Sequence, residues 1–170
     1  MKKATARLGG FSKERLTPTR ETNTNVISLA KPAAAPSAAS GPVPAPDHFV
    51  RANGVEYAGT HLLVELWGAD AKTLTDCALI ERTLIDGAKA SGATILHAYM
   101  HPFGPDMGVS GVVMLAESHI SIHTWPERGY AALDLFMCGK CDPYKALPFL
   151  KDAFRPRAVQ VGEQKRGVMI

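Results

Sequence analysis

The chain predicts an α+β fold of two layers, a mainly antiparallel sheet with two helices packed on one face, preceded by a disordered N-terminal arm. Three observations carry the prediction. Short segments of alternating or β-branched apolar residues recur between residues 60 and 137, bounded by Gly, Pro or polar clusters. Two longer stretches repeat their apolar residues at helical spacing. Before about residue 48 there is no hydrophobic periodicity, and residues 31–46 are almost exclusively Ala, Pro, Ser and Gly.

The arm, residues 1–48, holds seven Lys or Arg against three acids, and the rest of the chain holds 12 against 13. The net charge of +3 therefore belongs to the arm. Phe11 is its only aromatic, so it reads as a solvated, solubilising segment rather than a nucleic-acid contact. Its basic, hydroxyl-rich start loosely resembles an organelle transit peptide, and an N-terminal extension on a bacterial protein looks the same.

A domain spanning 49–170 follows, with order expected to begin near Tyr57. In residues 60–67, Leu62, Val64 and Leu66 share one face of a first strand. Gly68 ends it, Asp70 is a plausible N-cap, and Leu74, Ala78, Ile85 and Ala88 keep helical spacing to Ser91-Gly92, so one helix is expected over 71–90. Strands follow at 93–101, 109–116, 119–125 and 130–137, with a Pro/Gly loop at 102–108 and a turn at 126–129. A second helix is expected over 144–154 despite Pro148, and a last strand over 157–161.

At 170 residues, 46% hydrophobic and 21% charged, the chain is an ordinary soluble protein with one core. Glu65, Asp76, Glu81 and Glu117 break every apolar run before it reaches membrane-spanning length. Three cysteines, two of them three apart, argue against a secreted disulfide framework and for a reducing, cytoplasmic setting.

Chemistry concentrates between Glu117 and Cys138, where Ser118, His119, His123, Trp125, Glu127 and Asp134 sit among short apolar runs. The wording of this stretch is specific: Gly-Val-Ser-Gly-Val-Val at 108–113, Glu-Ser-His at 117–119, Ile-His-Thr-Trp-Pro-Glu at 122–127, Gly-Tyr-Ala-Ala at 129–132, and Phe136 leading to Cys138-Gly139. It resembles the prokaryotic S-adenosylmethionine decarboxylase family, over roughly residues 57–167.

The resemblance implies a proenzyme that cleaves itself between Glu117 and Ser118, so that a β chain ends at 117 and an α chain begins at 118 with a covalent pyruvoyl group made from Ser118. The residue types suit that chemistry. Only a hydroxyl or thiol on the residue after the scissile bond can attack the Glu117 carbonyl and convert the amide to an ester. Loss of the Ser118 α-proton then eliminates the ester, and the dehydroalanine left behind hydrolyses to the pyruvoyl ketone with loss of ammonia. His123 is the expected base, since imidazole titrates near neutrality, and Ser110 matches a family position associated with processing, where its hydroxyl could donate to the developing oxyanion. In the mature enzyme the substrate amine forms a Schiff base with the ketone, and Cys138 is the expected acid that returns a proton after decarboxylation. Phe103 and Trp125 resemble the aromatics that meet an adenine and a sulfonium, and Glu127 resembles the acid that holds the ribose hydroxyls. S-adenosylmethionine as substrate, the aminopropyl donor for spermidine synthesis as product, and a homodimer of αβ units are further implications. One geometric difficulty stands: an offset of five puts Ser118 and His123 on opposite faces of an ideal strand, so local irregularity is expected at 117–119.

Other readings stay open. The same scaffold could decarboxylate arginine or ornithine, with Glu65 or Asp134 meeting the side-chain cation. Cys138-Gly139-Lys140-Cys141 is a Cys-x-x-Cys; with His97, His101, His119 and His123 at paired four-residue spacings it could hold zinc, although standard zinc spacings are absent. A thioredoxin-like role lacks the preceding βαβ unit, and a non-catalytic relative would not need Ser118, His123 and Cys138 together.

Overall fold

The structure is a computed structural model and describes residues 48–169. The expected arm at 1–47 lies outside the described residues. A short hairpin comes first, β1 (Val50–Ala52) and β2 (Val55–Tyr57), where order was expected to start only at its end. The main sheet comprises β3 (Gly59–Trp67), β4 (Ile95–Pro102), β5 (Val109–Leu115), β6 (Ser118–Trp125), β7 (Tyr130–Cys138) and β8 (Ala158–Arg166). Its spatial order is β4-β5-β6-β7-β3-β8, and every neighbouring pair is antiparallel.

One face of this sheet is covered. Leu62, Val64 and Leu66 of β3, Ile120 and Ile122 of β6, and Leu133 and Leu135 of β7 are almost completely buried. They pack in one cluster with Leu74 of α1 (Ala71–Thr75), Ile80 and Leu84 of α2 (Cys77–Ala90), and Leu150 and Phe154 of α3 (Leu147–Phe154). Each such side chain contributes roughly 1.5–3 kcal/mol, so this layer supplies most of the folding free energy. The opposite face has no helix over it among the described residues, and Leu63, Trp67, Tyr99, Val112, Met114 and Trp125 along it are 38–55% exposed. The α+β, two-layer expectation holds.

The helices differ from expectation for local reasons. The single helix expected over 71–90 is two, because Asp76 leaves helical geometry (φ −85°, ψ 93°) and its carboxylate accepts the Leu79 N–H at 2.9 Å. A side chain that caps the next helix cannot also continue the previous one. The 144–154 helix becomes a 3-10 turn, Pro143–Ala146, followed by α3, which places Pro148 in the first turn where a missing N–H costs nothing. The last strand runs to Arg166 instead of ending at 161, because β8 pairs with β3 along all nine residues of that strand.

Candidate active site

β5 and β6 are joined by only two residues, Ala116 and Glu117, since Leu115 already pairs with Ser118. Of the two, Glu117 alone has positive φ, at +65°. A side chain in that left-handed region costs about 1–2 kcal/mol. A two-residue hairpin with only its second residue left-handed also mismatches the strand twist. Strain is thus concentrated on the residue before Ser118. The Ser118 side chain is 9% exposed, and its Oγ accepts the Cys138 N–H at 3.0 Å.

Cys138 ends β7 beside this turn. Burial pushes its thiol up, the Ser118 hydroxyl draws it partly back by favouring the thiolate, and Glu117 and Cys141 push it up again; the net shift is upward. Gly139 (φ +60°) then turns the chain, the Cys141 N–H donates to the Cys138 carbonyl at 3.3 Å, and the Cys141 thiol donates to the Gly92 carbonyl at 3.4 Å. Glu117, Cys138 and Cys141 line one cleft of about 670 Å³, with His48 and Arg51 on its wall. The His48 Nε2 lies 3.3 Å from the Glu117 carboxylate.

The other expected residues gather elsewhere. Phe103, Ser110, His123, Trp125 and Glu127 line a second cleft of about 540 Å³. The Ser110 Oγ and His123 Nδ1 are 2.8 Å apart across a directly paired position of β5 and β6. Beneath them the Thr124 hydroxyl is buried, donates to the Leu74 carbonyl at 2.7 Å and accepts the Val109 N–H at 2.7 Å, so one side chain ties α1, β5 and β6 together next to the pair. The loop before β5 closes through the Phe103 N–H to the Gly108 carbonyl at 3.0 Å. Gly108 lies so close to the Thr124 backbone that a Cβ there would strike the carbonyl, which brings Phe103 to the cleft.

The expected irregularity at 117–119 is confined to Glu117, and it does not bring Ser118 to His123. From Ser118 to Trp125 the strand alternates regularly, paired with β5 from Ser118 to His123 and with β7 from His119 to Trp125. The two residues point to opposite faces, five positions or about 16 Å apart at ~3.3 Å per residue. Each end of β6 therefore carries one half of the expected chemistry.

The face between the two ends is polar at its centre. His61 Nε2 lies 3.0 Å from the Asp134 carboxylate, which also accepts the Ser121 hydroxyl at 3.3 Å, and an Arg166 guanidinium nitrogen lies 3.1 Å from His61 Nδ1. His119 is held below the ordinary imidazole range by burial first and by the neighbouring His61 and Arg166 next, against Asp134. The Tyr130 hydroxyl donates to Glu65, which with burial pushes it up to about 12, and its ring stacks between Trp67 (4.2 Å) and Trp125 (5.1 Å). Among the described residues no three His, Cys, Asp or Glu side chains converge as a metal would require. No helix among the described residues is long and apolar enough to cross a membrane.

His48 and Thr124 stand at these clefts without having been singled out by sequence. Thr124 had a signal, since it follows His123 in an alternating strand and so had to be a buried hydroxyl. His48 had none, because its contact spans 69 positions of chain.

Comparison with known proteins places this fold among the decarboxylases, lyases that release carbon dioxide. The family described as S-adenosylmethionine decarboxylase matches residues 60–167. The S-adenosylmethionine decarboxylase proenzyme of Methanococcus maripaludis (strain C7) is 46% identical over 112 residues, covering 65% of this chain and 91% of that protein. The proenzyme of Acetivibrio thermocellus is 45% identical over 111 residues, 65% of this chain and 89% of its own. The crystal structure of the adenosylmethionine decarboxylase from Aquifex aeolicus matches with a TM-score of 0.60 at 34% identity, covering 67% of this chain and 94% of that one. The chain belongs to the S-adenosylmethionine decarboxylase family.

Proposed function

We propose that this chain cleaves itself between Glu117 and Ser118 into fragments of 117 and 53 residues (170 − 117), and that the mature enzyme decarboxylates S-adenosylmethionine in the cytoplasm to supply the aminopropyl donor for spermidine synthesis. One observation carries the reading: a left-handed Glu117 immediately precedes a buried Ser118 hydroxyl that the Cys138 N–H holds in place. Attack of that oxygen on the Glu117 carbonyl carbon relieves the strained turn, breaks the C–N bond and leaves an ester. Removal of the Ser118 α-proton expels the Glu117 carboxylate. Water then releases ammonia and leaves the pyruvoyl group, a ketone that condenses with the substrate amine and accepts the electron pair freed with CO₂.

This chain's own side chains would do the rest. Cys138, its thiol kept protonated by the upward shift, returns a proton to the substrate α-carbon. Phe103 and Trp125 offer faces to the adenine and sulfonium, and Glu127 accepts from the ribose hydroxyls. The Ser110–His123 pair serves processing. Because it lies about 16 Å from Ser118 in the same chain at ~3.3 Å per residue, the pair that acts on one Ser118 comes from a second copy, packed across the open sheet face in a homodimer. Neither nucleic acid nor membrane takes part. Decarboxylation of arginine or ornithine is less well supported, since Glu65 is engaged by Tyr130 and Asp134 by His61 and Ser121.

Intact mass spectrometry under denaturing conditions tests the reading. Wild type should give two fragments parted after Glu117, the smaller lighter than its serine-initiated form by one ammonia, and Ser118→Ala should give one uncut chain. A single uncut chain in both overturns self-cleavage.

A further inference from the structure

We infer that His48 is a positioning residue for self-cleavage, acting through the Glu117 side chain, and that the segment it opens is a wall added to the reaction cleft. The inference rests on the self-cleavage reading above. The family match begins at residue 60. His48 and the β1–β2 hairpin precede that residue and lie outside the matched stretch.

The hairpin has its own anchorage. The Met169 N–H donates to the Glu56 carbonyl at 2.9 Å, the Ala58 N–H donates to the Arg166 carbonyl at 2.8 Å, and Arg51 pairs with Glu56 at 3.1 Å across the hairpin. The first two bonds fix the hairpin to the end of β8. From that support the chain leads back to His48, which lies against Gly139, the residue after Cys138, and sets its Nε2 3.3 Å from the Glu117 carboxylate. Phe49, Val50 and Arg51 line the same cleft as Glu117 and Cys138.

The contact matters because of where Glu117 stands. Its backbone is held left-handed, a conformation an ordinary side chain leaves readily when nothing retains it. The acyl shift requires the Glu117 carbonyl carbon to stay presented to the Ser118 Oγ. A partner on the Glu117 side chain, itself fixed by a separately anchored hairpin, raises the fraction of time the turn spends in that geometry. Both groups are about half exposed, so the gain is modest. It amounts to about a two- to fivefold change in cleavage rate rather than an on-off effect.

The test is the rate at which full-length precursor, made by pulse-labelled cell-free translation, converts to the two fragments. Wild type is read first, and a wild type that never converts refutes the self-cleavage reading itself. Given conversion, His48→Ala should be about two- to fivefold slower, and His48→Gln, which keeps an N–H donor for the carboxylate, should recover most of the rate. In a Glu117→Gln background, His48→Ala should add little further slowing. Melting temperatures of Ser118→Ala with and without His48→Ala, both uncut, should agree. His48→Ala at the wild-type rate overturns the inference. So does a loss that His48→Gln fails to recover or a matching loss of melting temperature, either of which marks a role in folding alone. If Glu117→Gln does not cleave at all, the contrast between Ala and Gln at His48 decides.

Discussion

Cys138 holds its proton for a structural reason, since burial outweighs the stabilisation that the Ser118 hydroxyl offers its thiolate. In its proposed role as the acid that returns a proton to substrate, it would work only while protonated, so turnover should fall as pH rises through its pKa. The upward shift moves that fall above the ordinary thiol range, and the kcat profile of processed enzyme should stay flat past the pH where a free cysteine would titrate. Cys138→Ala should still cleave, because the bond that holds the Ser118 oxygen comes from the Cys138 backbone N–H, which alanine retains. Its turnover should drop by about 100-fold or more. A processed Cys138→Ala enzyme with undiminished kcat removes the thiol from the mechanism. Ser118, His123 and Cys138 were singled out through the motifs that resemble the family. Their mutual distance was not legible in the sequence, because the backbone bond from Cys138 to Ser118 and the contact from His48 to Glu117 each join strands far apart in sequence.

Among the elements, β6 matters most, and Thr124 is its fastening. Its hydroxyl satisfies the Val109 N–H and the Leu74 carbonyl at once, in a position only 6% exposed. Thr124→Val keeps the shape and leaves both groups without a partner, which should destabilise the fold by about 2–3 kcal/mol. Thr124→Ser should cost far less. Urea unfolding of both in an uncut Ser118→Ala background measures this, and a Thr124→Val curve that overlays its parent shows the bridge to be dispensable. Cleavage should slow as well, since Val109 and Thr124 flank Ser110 and His123. The strands were readable because alternation is a local signal; β3, for example, buries Leu62, Val64 and Leu66 as its pattern requires. The break at Asp76 was not, because an aspartate suits either the surface of one long helix or the cap of a second one. Only its bond to the Leu79 N–H distinguishes the two.

At the scale of the whole molecule, two facts point to one arrangement. Among the described residues the sheet leaves one face without helices and carries Leu63, Trp67, Val112, Met114 and Trp125 half-exposed along it. The two half-sites lie at opposite ends of β6, one holding Glu117 and Cys138, the other Ser110, His123, Trp125 and Glu127. A two-fold axis lying in the open face and crossing β6 would set each end of the strand against the opposite end of the partner's, since residue i then meets j as j meets i. Complementation tests this. Ser118→Ala keeps the Ser110–His123 pair and cannot cut itself; His123→Ala keeps Ser118 and lacks its base. Alone, each should remain whole or nearly so. Co-expressed in equal amounts they should pair at random, and about half of the His123→Ala chains should cleave, being those joined to a Ser118→Ala partner. The Ser118→Ala chains should stay intact throughout. Adding Met114→Glu to both chains places like charges in the shared face and should abolish the rescue together with the dimer seen by sedimentation. Cleavage of a Met114→Glu monomer that keeps both Ser118 and His123 would mean that His123 reaches its own Ser118, which requires β6 to give up the regular pairing it shows from Ser118 to Trp125.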